Sequence, residues 1–531
     1  MGALVAMLRA SSMMAATLAN EPFEVVVIGG GLAGLTAAAH LAARGVAPLV
    51  LDADQHWSGG RLAGGDSHTF SYQGRDWSFH DEHGVHAIWG GYVNLRATLE
   101  RFTTTRLQPS FGEEWINRWG KHVRRIEAGS AIRSRWIPAP FHYLQLLFNP
   151  AIWANISPWD FLSLPGVLAS IFLTVGVDPI REGKSWDGLT LNDFFTGWTP
   201  NLKATFKGLG VNLLAAPAEQ ISLSGFIAAL RFYTMLRRDS WQMSYYPEAA
   251  GTSVIAPLVQ HIEAHGGHVQ RGGTAIRLER EGALWRVSVA ASDGTIRHVL
   301  TQHIVLATHP SGAQRLLTMS PSTSEIASNL IFPASTQSAV VRMWFSAAPR
   351  EGVQGGMLTG DFVPDNYFWL HRLYSDYRQW HLETGGSAME VHFYPDKKHA
   401  NLPDANLLVM ATTEVQTAFP ELRGTFVYGT VRRNSKVHTV FRVPDSKSLH
   451  VVTPFENVFA CGDWIGHDTP SLWMERATTT GIAAANEVLS RTGKAPFEIL
   501  YPPKPELLVR VLEKVLRGVR WVIRKVRRQK K

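Results

Sequence analysis

The sequence predicts an α/β protein in which a doubly wound nucleotide-binding domain is interleaved with an α+β domain and followed by a C-terminal amphipathic helix. Two observations predict the first domain: a glycine-rich strand–turn–helix unit near the start of the chain, and a strand ending in Gly462-Asp463 near its end. A third observation, the alternating strands between residues 330 and 440, predicts the sheet of the second domain. With 531 residues, the chain is long enough for two or three domains.

The strand–turn–helix unit begins with the apolar, β-branched residues 25–28, which are typical of a buried parallel strand. The next residues, GGGLAG, fit the pattern G-x-G-x-x-G, and an alanine-rich helix follows. In this pattern Gly29 permits the tight turn, Gly31 lets the backbone approach a pyrophosphate, and Gly34 lets the helix pack closely on the strand. A second apolar run ends at Asp52, whose carboxylate can accept hydrogen bonds from ribose hydroxyls. These parts together predict a Rossmann-type dinucleotide-binding unit.

The cysteine content, the first residues and the distribution of charge narrow the kinds of site and partner that this protein can have. The single cysteine, Cys461, excludes an intramolecular disulfide framework, and the absence of C-x-x-C argues against a thiolate zinc site. Residues 1–20 are interpreted as a disordered leader, with a weak export signal as the alternative. The net charge of +8 lies entirely in residues 506–531, which hold ten Lys or Arg and two Glu.

The same C-terminal residues repeat apolar side chains at three- and four-residue steps, with basic side chains between them. This pattern is typical of a helix on the surface of an anionic membrane, with Trp521 at the boundary. A helix docked on the body of the protein and a nucleic-acid patch are the alternatives, and the apolar stripe argues against the second. We expect a cytoplasmic protein that is peripheral to the membrane and has no nucleic-acid partner.

A lipophilic stretch lies between residues 136 and 177, where Asp160 is the only charged residue. Five prolines divide this stretch into short helices, whereas a transmembrane helix needs about twenty uninterrupted apolar residues. Two interpretations remain open. The stretch is either a helical core subdomain or a set of apolar helices that border a substrate tunnel and dip into one leaflet.

A second glycine pair, Gly59-Gly60, follows the acid after a short loop and precedes Arg61. This arrangement resembles the second fingerprint of flavoprotein oxidoreductases of the amine oxidase and phytoene desaturase superfamily. There the glycines pass under the phosphates of the cofactor, and the same loop places the arginine. A nicotinamide dehydrogenase has no need of this element, so the resemblance implies FAD rather than NAD.

Three further segments carry the resemblance: HGVHAIWGGYVNLR at 83–96, SAMEVHFY at 387–394 and GDWIGHDTPSLWMERATTTGIAAANEVL at 462–489. They are most similar to the carotenoid desaturases, including isorenieratene synthase-like enzymes, which act on long polyenes with bound FAD. Asp52 and Ala275 stand where Glu and Val are usual, and both departures are conservative. The cofactor contacts that the resemblance implies are Gly29, Gly31, Leu32, Ala33, Gly34, Asp52, Ala53, Gly60, Arg61, Gly84, Val85, Ala275, Ala307, Gly462, Asp463, Met474, Glu475 and Ala477.

His83 and His86 occupy the segment whose backbone runs beside the flavin ring in the superfamily. They are the candidates for a substrate-facing catalytic role, and the sequence names no other general base. His80 recurs at the same spacing, which invites a metal site. Gly84 and the flavin context favour an extended loop instead, so no metal is expected.

The resemblance also divides the chain into domains. It assigns the discontinuous FAD-binding domain to residues 21–95, 241–315 and 441–492, and the substrate domain to residues 96–240 and 316–440. Residues 500–531 form the basic membrane-surface helix.

The resemblance implies FAD-dependent oxidation of a lipophilic polyene, with hydride transfer from a C–H bond to flavin N5 and with quinone or oxygen as electron acceptor. Isomerisation or saturation of a carotenoid, and oxidation of an amine, are the enzymatic alternatives. The non-enzymatic alternative is a membrane-associated flavin-binding partner protein.

Overall fold

The structure is a computed structural model that describes residues 22–62, 64–110, 112–129, 135–154, 156–350, 352–394, 399 and 401–529. The predicted leader, residues 1–20, and the last two basic residues of the tail lie outside the described residues.

Strands and helices alternate along the chain. The strands are β1 Phe23–Ile28, β2 Pro48–Leu51, β3 Gly64–Tyr72, β4 Arg75–Glu82, β5 Ala87–Ile88, β6 Gln108–Pro109, β7 Glu114–Trp119, β8 His122–Glu127, β9 Ser244–Tyr245, β10 His268–Gln270, β11 Gly273–Glu281, β12 Leu284–Ala291, β13 Ile296–Leu306, β14 Ser335–Phe345, β15 Gly355–Gly360, β16 Asn366–Trp369, β17 Ser387–Phe393, β18 Phe426–Thr439 and β19 Val458–Ala460. The α-helices are α1 Leu32–Ala42, α2 Val93–Phe102, α3 Pro150–Trp153, α4 Leu164–Gly176, α5 Pro179–Glu182, α6 Leu191–Phe194, α7 Pro200–Leu214, α8 Leu223–Leu230, α9 Ala256–Ala264, α10 Pro310–Met319, α11 Ser324–Ala327, α12 Leu370–Leu373, α13 Ser375–Thr384, α14 Asp404–Ala418, α15 Trp473–Arg491 and α16 Leu507–Gln529.

The first sheet is built on a parallel core in the order β10-β2-β1-β13, with β19 also parallel beside the end of β13. Both faces of β1 are covered, so Val25, Val26 and Val27 are completely buried, as a central parallel strand requires. The antiparallel hairpin of β11 and β12 extends the sheet from the first half of β13. The predicted α/β class is confirmed.

The second sheet has the order β18-β14-β17-β16-β15-β7-β8 and is antiparallel except where β15 runs parallel to β7. Its own buried cluster includes Ile116, Met343 and Tyr367, and helix α14 packs on it through Leu407 and Ala411. The first sheet takes all its strands from the ranges predicted for FAD binding, and the second from those predicted for substrate binding. The exact domain bounds stay a prediction.

The lipophilic stretch forms short helices, as its prolines predict: 3₁₀ segments at Phe141–Phe148 and Pro158–Ser163, then α3 and α4. Asp160 is buried at the start of the second 3₁₀ segment, where its carboxylate accepts from the backbone N–H of Ser157 at 2.7 Å. The C-terminal helix α16 packs against α4. The described residues therefore include the docked helix that the sequence left as an alternative.

Candidate active site

A cavity of about 760 Å³ lies between the two sheets. Its walls come from the carboxyl ends of β1, β2 and β13, from the loop after β4, and from strands of the second sheet. In open α/β sheets, ligands bind outside the carboxyl ends of the strands. The cavity is thus where the fold predicts a dinucleotide.

The glycine loop between β1 and α1 forms one end of the cavity. Gly29 has a φ of +117°, and a Cβ there would lie 2.6 Å from the carbonyl oxygen of Ala307. A Cβ on Gly34 would collide with the carbonyl oxygen of Gly29, so this residue lets α1 approach the turn although it does not itself line the cavity. A Cβ on Gly31 would meet nothing nearer than 3.9 Å, which leaves room for a phosphate beside the free N–H groups of α1.

Asp52 lines the same end and is almost completely buried. Its Oδ1 accepts from the backbone N–H of Asp54 at 3.2 Å, and its Oδ2 has no hydrogen-bond partner among the described residues. Burial raises the pKa of this carboxyl to about 6. A buried acceptor without a donor is costly, and a ribose hydroxyl of FAD would supply that donor. The site therefore fits the dinucleotide that the resemblance implies.

Two loops far apart in the sequence meet beside the glycine loop. The guanidinium of Arg61 lies 2.6 Å from the carboxylate of Asp463, and both residues line the cavity. Gly462, with a φ of +151°, donates its N–H to the hydroxyl of Thr480 at 2.9 Å. Of the remaining predicted cofactor contacts, the structure brings to the same cavity Leu32, Ala33, Ala53, Gly60, Gly84, Val85, Ala275, Ala307, Met474 and Ala477.

Glu475 does not line the cavity, in contrast to the expectation from sequence. Its buried carboxylate accepts from the backbone N–H and the side-chain amide of Asn94, each at 2.8 Å, and from the backbone N–H of Leu95 at 3.0 Å. Burial raises the pKa of this carboxyl to about 7. Adjacent helix residues point about 100° apart, so Met474 faces the cavity while Glu475 caps the start of α2.

The two candidate histidines both line the cavity and their ring centroids lie 6.1 Å apart. Nε2 of His83 and Nδ1 of His86 have no hydrogen-bond partner among the described residues. Burial lowers the pKa of His86 to about 4 and the pKa of His83 well below its ordinary value. Both rings are therefore neutral at pH 7 and can hydrogen-bond to a ligand without carrying charge.

His80, which the sequence grouped with them, lies apart. Its Nδ1 is 2.7 Å from a carboxylate oxygen of Asp376, and neither residue lines the cavity. Among the described residues no group of three or more His, Cys, Asp or Glu side chains has the geometry to hold a metal ion.

Sequence reasoning missed three further histidines that line the cavity, which are His309, His438 and, paired with a carboxylate, His392. Nε2 of His392 lies 2.6 Å from Oε1 of Glu390, which also accepts from the backbone N–H of Val85 at 2.7 Å. The other carboxylate oxygen of Glu390 lies 2.7 Å from the buried guanidinium of Arg342. Burial opposes ionisation of Glu390, but the charge of Arg342, the contact with His392 and the N–H of Val85 together outweigh it and lower the pKa of that carboxyl to about 2. Glu-x-His on one strand was the available signal, because alternate residues share a face.

Aromatic side chains form the other end of the cavity. The ring centroid of Trp89 lies 4.6 Å from that of Tyr233 and 4.8 Å from that of Trp241. Leu209, Leu213, Met243 and Met357 complete the apolar wall. The carboxylate of Glu113 accepts from the indole N–H of Trp241 and is the acidic side chain of this end. This aromatic end of the cavity suits a long apolar ligand that is held by few polar groups.

Comparisons with known proteins agree with this geometry. The flavin containing amine oxidoreductase family matches residues 32–489. A carotenoid phi-ring synthase of Streptomyces griseus is 25% identical over 490 residues, covering 88% of this chain and 88% of its own. A 15-cis-phytoene desaturase of Arabidopsis thaliana is 25% identical over 298 residues, covering 53% of this chain and 45% of its own.

The solved structure of cyclohexylamine oxidase from Brevibacterium oxydans superposes with a TM-score of 0.63 at 14% identity, covering 89% of this chain and 100% of that one. At this identity the likeness concerns the fold alone. The family match begins inside the glycine loop, at residue 32, and runs through both the Gly59-Gly60-Arg61 motif and the Gly462-Asp463 motif. The chain therefore belongs to the flavin-containing amine oxidoreductase family and is an FAD-dependent oxidoreductase.

Proposed function

We propose that this oxidoreductase removes hydrogen from a long apolar polyene of the carotenoid type. The observation that carries the proposal is the aromatic and aliphatic wall that lines the same cavity as the glycine loop. An extended hydrocarbon gains most from such a wall, because burial of its apolar surface is favourable and asks for no polar partner. Two curated relatives are named for carotenoid chemistry, which supports the same substrate class.

When bound, FAD supplies the two-electron acceptor for this chemistry. The adjacent substrate carbons lose two electrons and two protons, a carbon–carbon double bond forms, and a quinone or oxygen finally takes the electrons. Trp89, Tyr233 and Trp241 would hold the polyene and keep water out. His392 would accept the proton that leaves the second carbon, since the Glu390 carboxylate at 2.6 Å stabilises the imidazolium that results.

Amine oxidation is the second candidate, and Glu113 is the observation that favours it. A carboxylate within an aromatic wall can attract an ammonium group. Carotenoid isomerisation or saturation, in which no net oxidation occurs, would use the same wall. A flavin-binding partner protein would bind FAD there without turnover.

The test uses purified protein loaded with FAD in the absence of oxygen. Detergent-solubilised phytoene or carotene is expected to bleach the visible absorbance of the oxidised flavin and to yield a more conjugated pigment. Bleaching by aliphatic amines and not by polyenes would assign the second candidate. A changed double-bond geometry without net bleaching would assign isomerisation, and no response to any of them would leave a binding protein.

A further inference from the structure

The helix α16 is held firmly on the body of the protein along one edge. Val509 is completely buried, and Leu512 and Leu516 pack with Ile171 and Val175 of α4. Glu513 pairs with Arg231 at 2.7 Å, and Arg520 pairs with Glu182 at 2.8 Å. This docked edge fixes the rotation of the helix and therefore decides which of its faces point outward.

A second apolar face of α16 points into solvent. Val511, Val515, Val519, Val522 and Val526 recur at steps of three and four, so they share one face, which we call the outer stripe. Each of the five side chains is between 46% and 55% exposed. The stripe lies roughly 120° around the helix from the docked edge, so packing on the body does not use it. The apolar pattern seen in the sequence thus splits into a docked part and an uncovered part.

Helix α4, on which α16 packs, also exposes an apolar face to solvent. Leu164, Leu168 and Phe172 follow each other at four-residue steps along α4 and are exposed, while Ser170 and Thr174 on its other side are buried. The preceding turn adds Trp159, Phe161 and Leu162, of which Trp159 is 75% exposed. Monomeric soluble proteins rarely expose apolar patches that span several adjacent elements, and such patches mark interaction sites.

The apolar region that includes α4 does not have the dimensions of a membrane-spanning helix. Pro158–Gly176 is the one stretch of the described residues that is long and apolar enough to cross a membrane by length and composition, which is weak evidence alone. Its α-helical part has 13 residues, so it is about 20 Å long, against about 30 Å of hydrocarbon. Its buried side packs on the protein. A shallow contact fits these dimensions better.

The charge on the third face of α16, roughly 100° to 140° around the helix from the outer stripe, decides what kind of surface would cover the stripe. Residues 506–531 carry ten basic residues and two acidic ones. Both acids face the body, where Glu506 pairs with Arg238 at 2.9 Å and Glu513 with Arg231. No carboxylate among the described residues pairs with Arg510 or Lys514, both of which are exposed. A helix with an apolar stripe and Lys or Arg on its polar face complements acyl chains and anionic headgroups together, whereas nucleic acid is bound mainly through its phosphates.

We propose that the outer stripe of α16 and the exposed faces of α4 and of Pro158–Ser163 form a docking surface for an anionic lipid bilayer. The surface enters one leaflet and does not cross it.

The docking surface is connected to the cavity through one short segment. Arg231, which holds Glu513, donates to the carbonyl oxygens of Thr174 at 2.8 Å and Val175 at 2.9 Å. Tyr233, two residues later, lines the aromatic end of the cavity, as does Trp241. Residues 231–241 thus carry the tail on one side and the cavity wall on the other. Docking would bring the aromatic end close to the lipid that holds an apolar substrate.

Flotation of the purified holoprotein with vesicles tests the proposal without any substrate, so its outcome is independent of the proposed reaction. Wild-type protein is expected to float with vesicles of phosphatidylcholine and phosphatidylglycerol, to float weakly with phosphatidylcholine alone, and to lose affinity as salt rises. The triple variant Val515→Asp/Val519→Asp/Val522→Asp is expected to bind about a hundredfold more weakly, at about fivefold for each added charge.

Val409→Asp is the matched control, because Val409 is also exposed on a helix but lies on α14, which packs on the second sheet. It is expected to float like the wild type. Far-UV circular dichroism and the flavin absorbance show whether each variant is folded. Failure of the wild type to float with anionic vesicles, or equal flotation of the triple variant, would overturn the proposal. The proposal would also be overturned if the wild type formed a dimer and the triple variant did not, since the stripe would then be a self-association surface.

Discussion

The guanidinium of Arg61 forms an ion pair with the carboxylate of Asp463 at 2.6 Å, and this contact joins the second and the last motifs of the cofactor site. Asp463 is nearly buried whereas Arg61 is partly exposed. The pair lines the cavity beside the glycine loop, so it orients both loops before a ligand enters.

Arg61→Gln is expected to weaken FAD binding by about tenfold, because the neutral amide leaves Asp463 without its charged partner beside the phosphates. Titration of apoprotein with FAD measures the change. Arg75→Gln, which removes an exposed arginine from β4, serves as the control and should bind FAD like the wild type. Equal affinity of the two variants would contradict the assigned role.

Asp52 should make the apoprotein sensitive to pH. Its folded pKa of about 6 lies above its ordinary value of 3.8, so the folded state holds the proton more tightly than the unfolded state. Relative to Asp52→Asn, wild-type stability should therefore fall by about 3 kcal/mol as pH rises from 4 to about 6, and then stay constant. FAD affinity should rise over the same window, because ribose hydroxyls prefer the ionised carboxylate. Urea unfolding of both proteins across this pH range measures the difference in the free energy of unfolding. The same pH dependence of that free energy in both proteins would refute the stability prediction.

Glu475→Ala should lower the free energy of unfolding by about 2 kcal/mol, because it leaves two backbone N–H groups at the start of α2 without an acceptor. The Kd for FAD should change by less than about twofold, since the side chain points away from the cavity. Glu487→Ala removes an exposed glutamate from the same helix and should alter stability by less than about 0.5 kcal/mol. Specific loss of flavin from Glu475→Ala would restore the role that the sequence motif implied.

His392→Gln should reduce turnover by about a hundredfold if its ring accepts a proton during the reaction. His86→Gln should cost much less in turnover, because a ring whose pKa is about 4 is a weak base that takes up a proton poorly near pH 7. Glu390→Gln should also reduce kcat, since it removes the carboxylate that lies 2.6 Å from Nε2 of His392. An unchanged kcat in Glu390→Gln would argue for a purely structural pair.

Glu113→Gln separates the two candidate substrates. Turnover of a polyene should stay within about threefold of the wild type, because a hydrocarbon has no charge for the carboxylate to meet. Turnover of an amine should fall by at least about tenfold through KM, because the ammonium group loses its counter-charge. Rates with both substrate classes, measured on one preparation with full flavin content, give the answer directly.

The glycine positions that the sequence singled out are those where backbone chemistry demands one residue type. Gly29 and Gly34 occupy positions where a Cβ would collide, and such positions leave a signature that a single sequence displays. The βαβ unit and the buried strands follow from local periodicity in the same way, which is why the fold class was confirmed.

The remaining parts depend on contacts between distant segments. His392 reaches the cavity because the register of β17 in the second sheet brings it beside Gly84, and no local pattern specifies that pairing. Glu475 and Met474 are neighbours in one motif, yet the rotation of α15 sends them to different places. The tail was ambiguous for the same reason, because the partner of its docked edge lies in α4.

The order of strands in the first sheet has a consequence for biosynthesis. β1 lies beside β13, and β13 beside β19, so the pocket floor includes residues from the beginning, middle and end of translation. A nascent polypeptide on the ribosome cannot close the site until α15 has emerged. Flavin capture is thus a late maturation event, and prematurely terminated chains should leave the ribosome colourless.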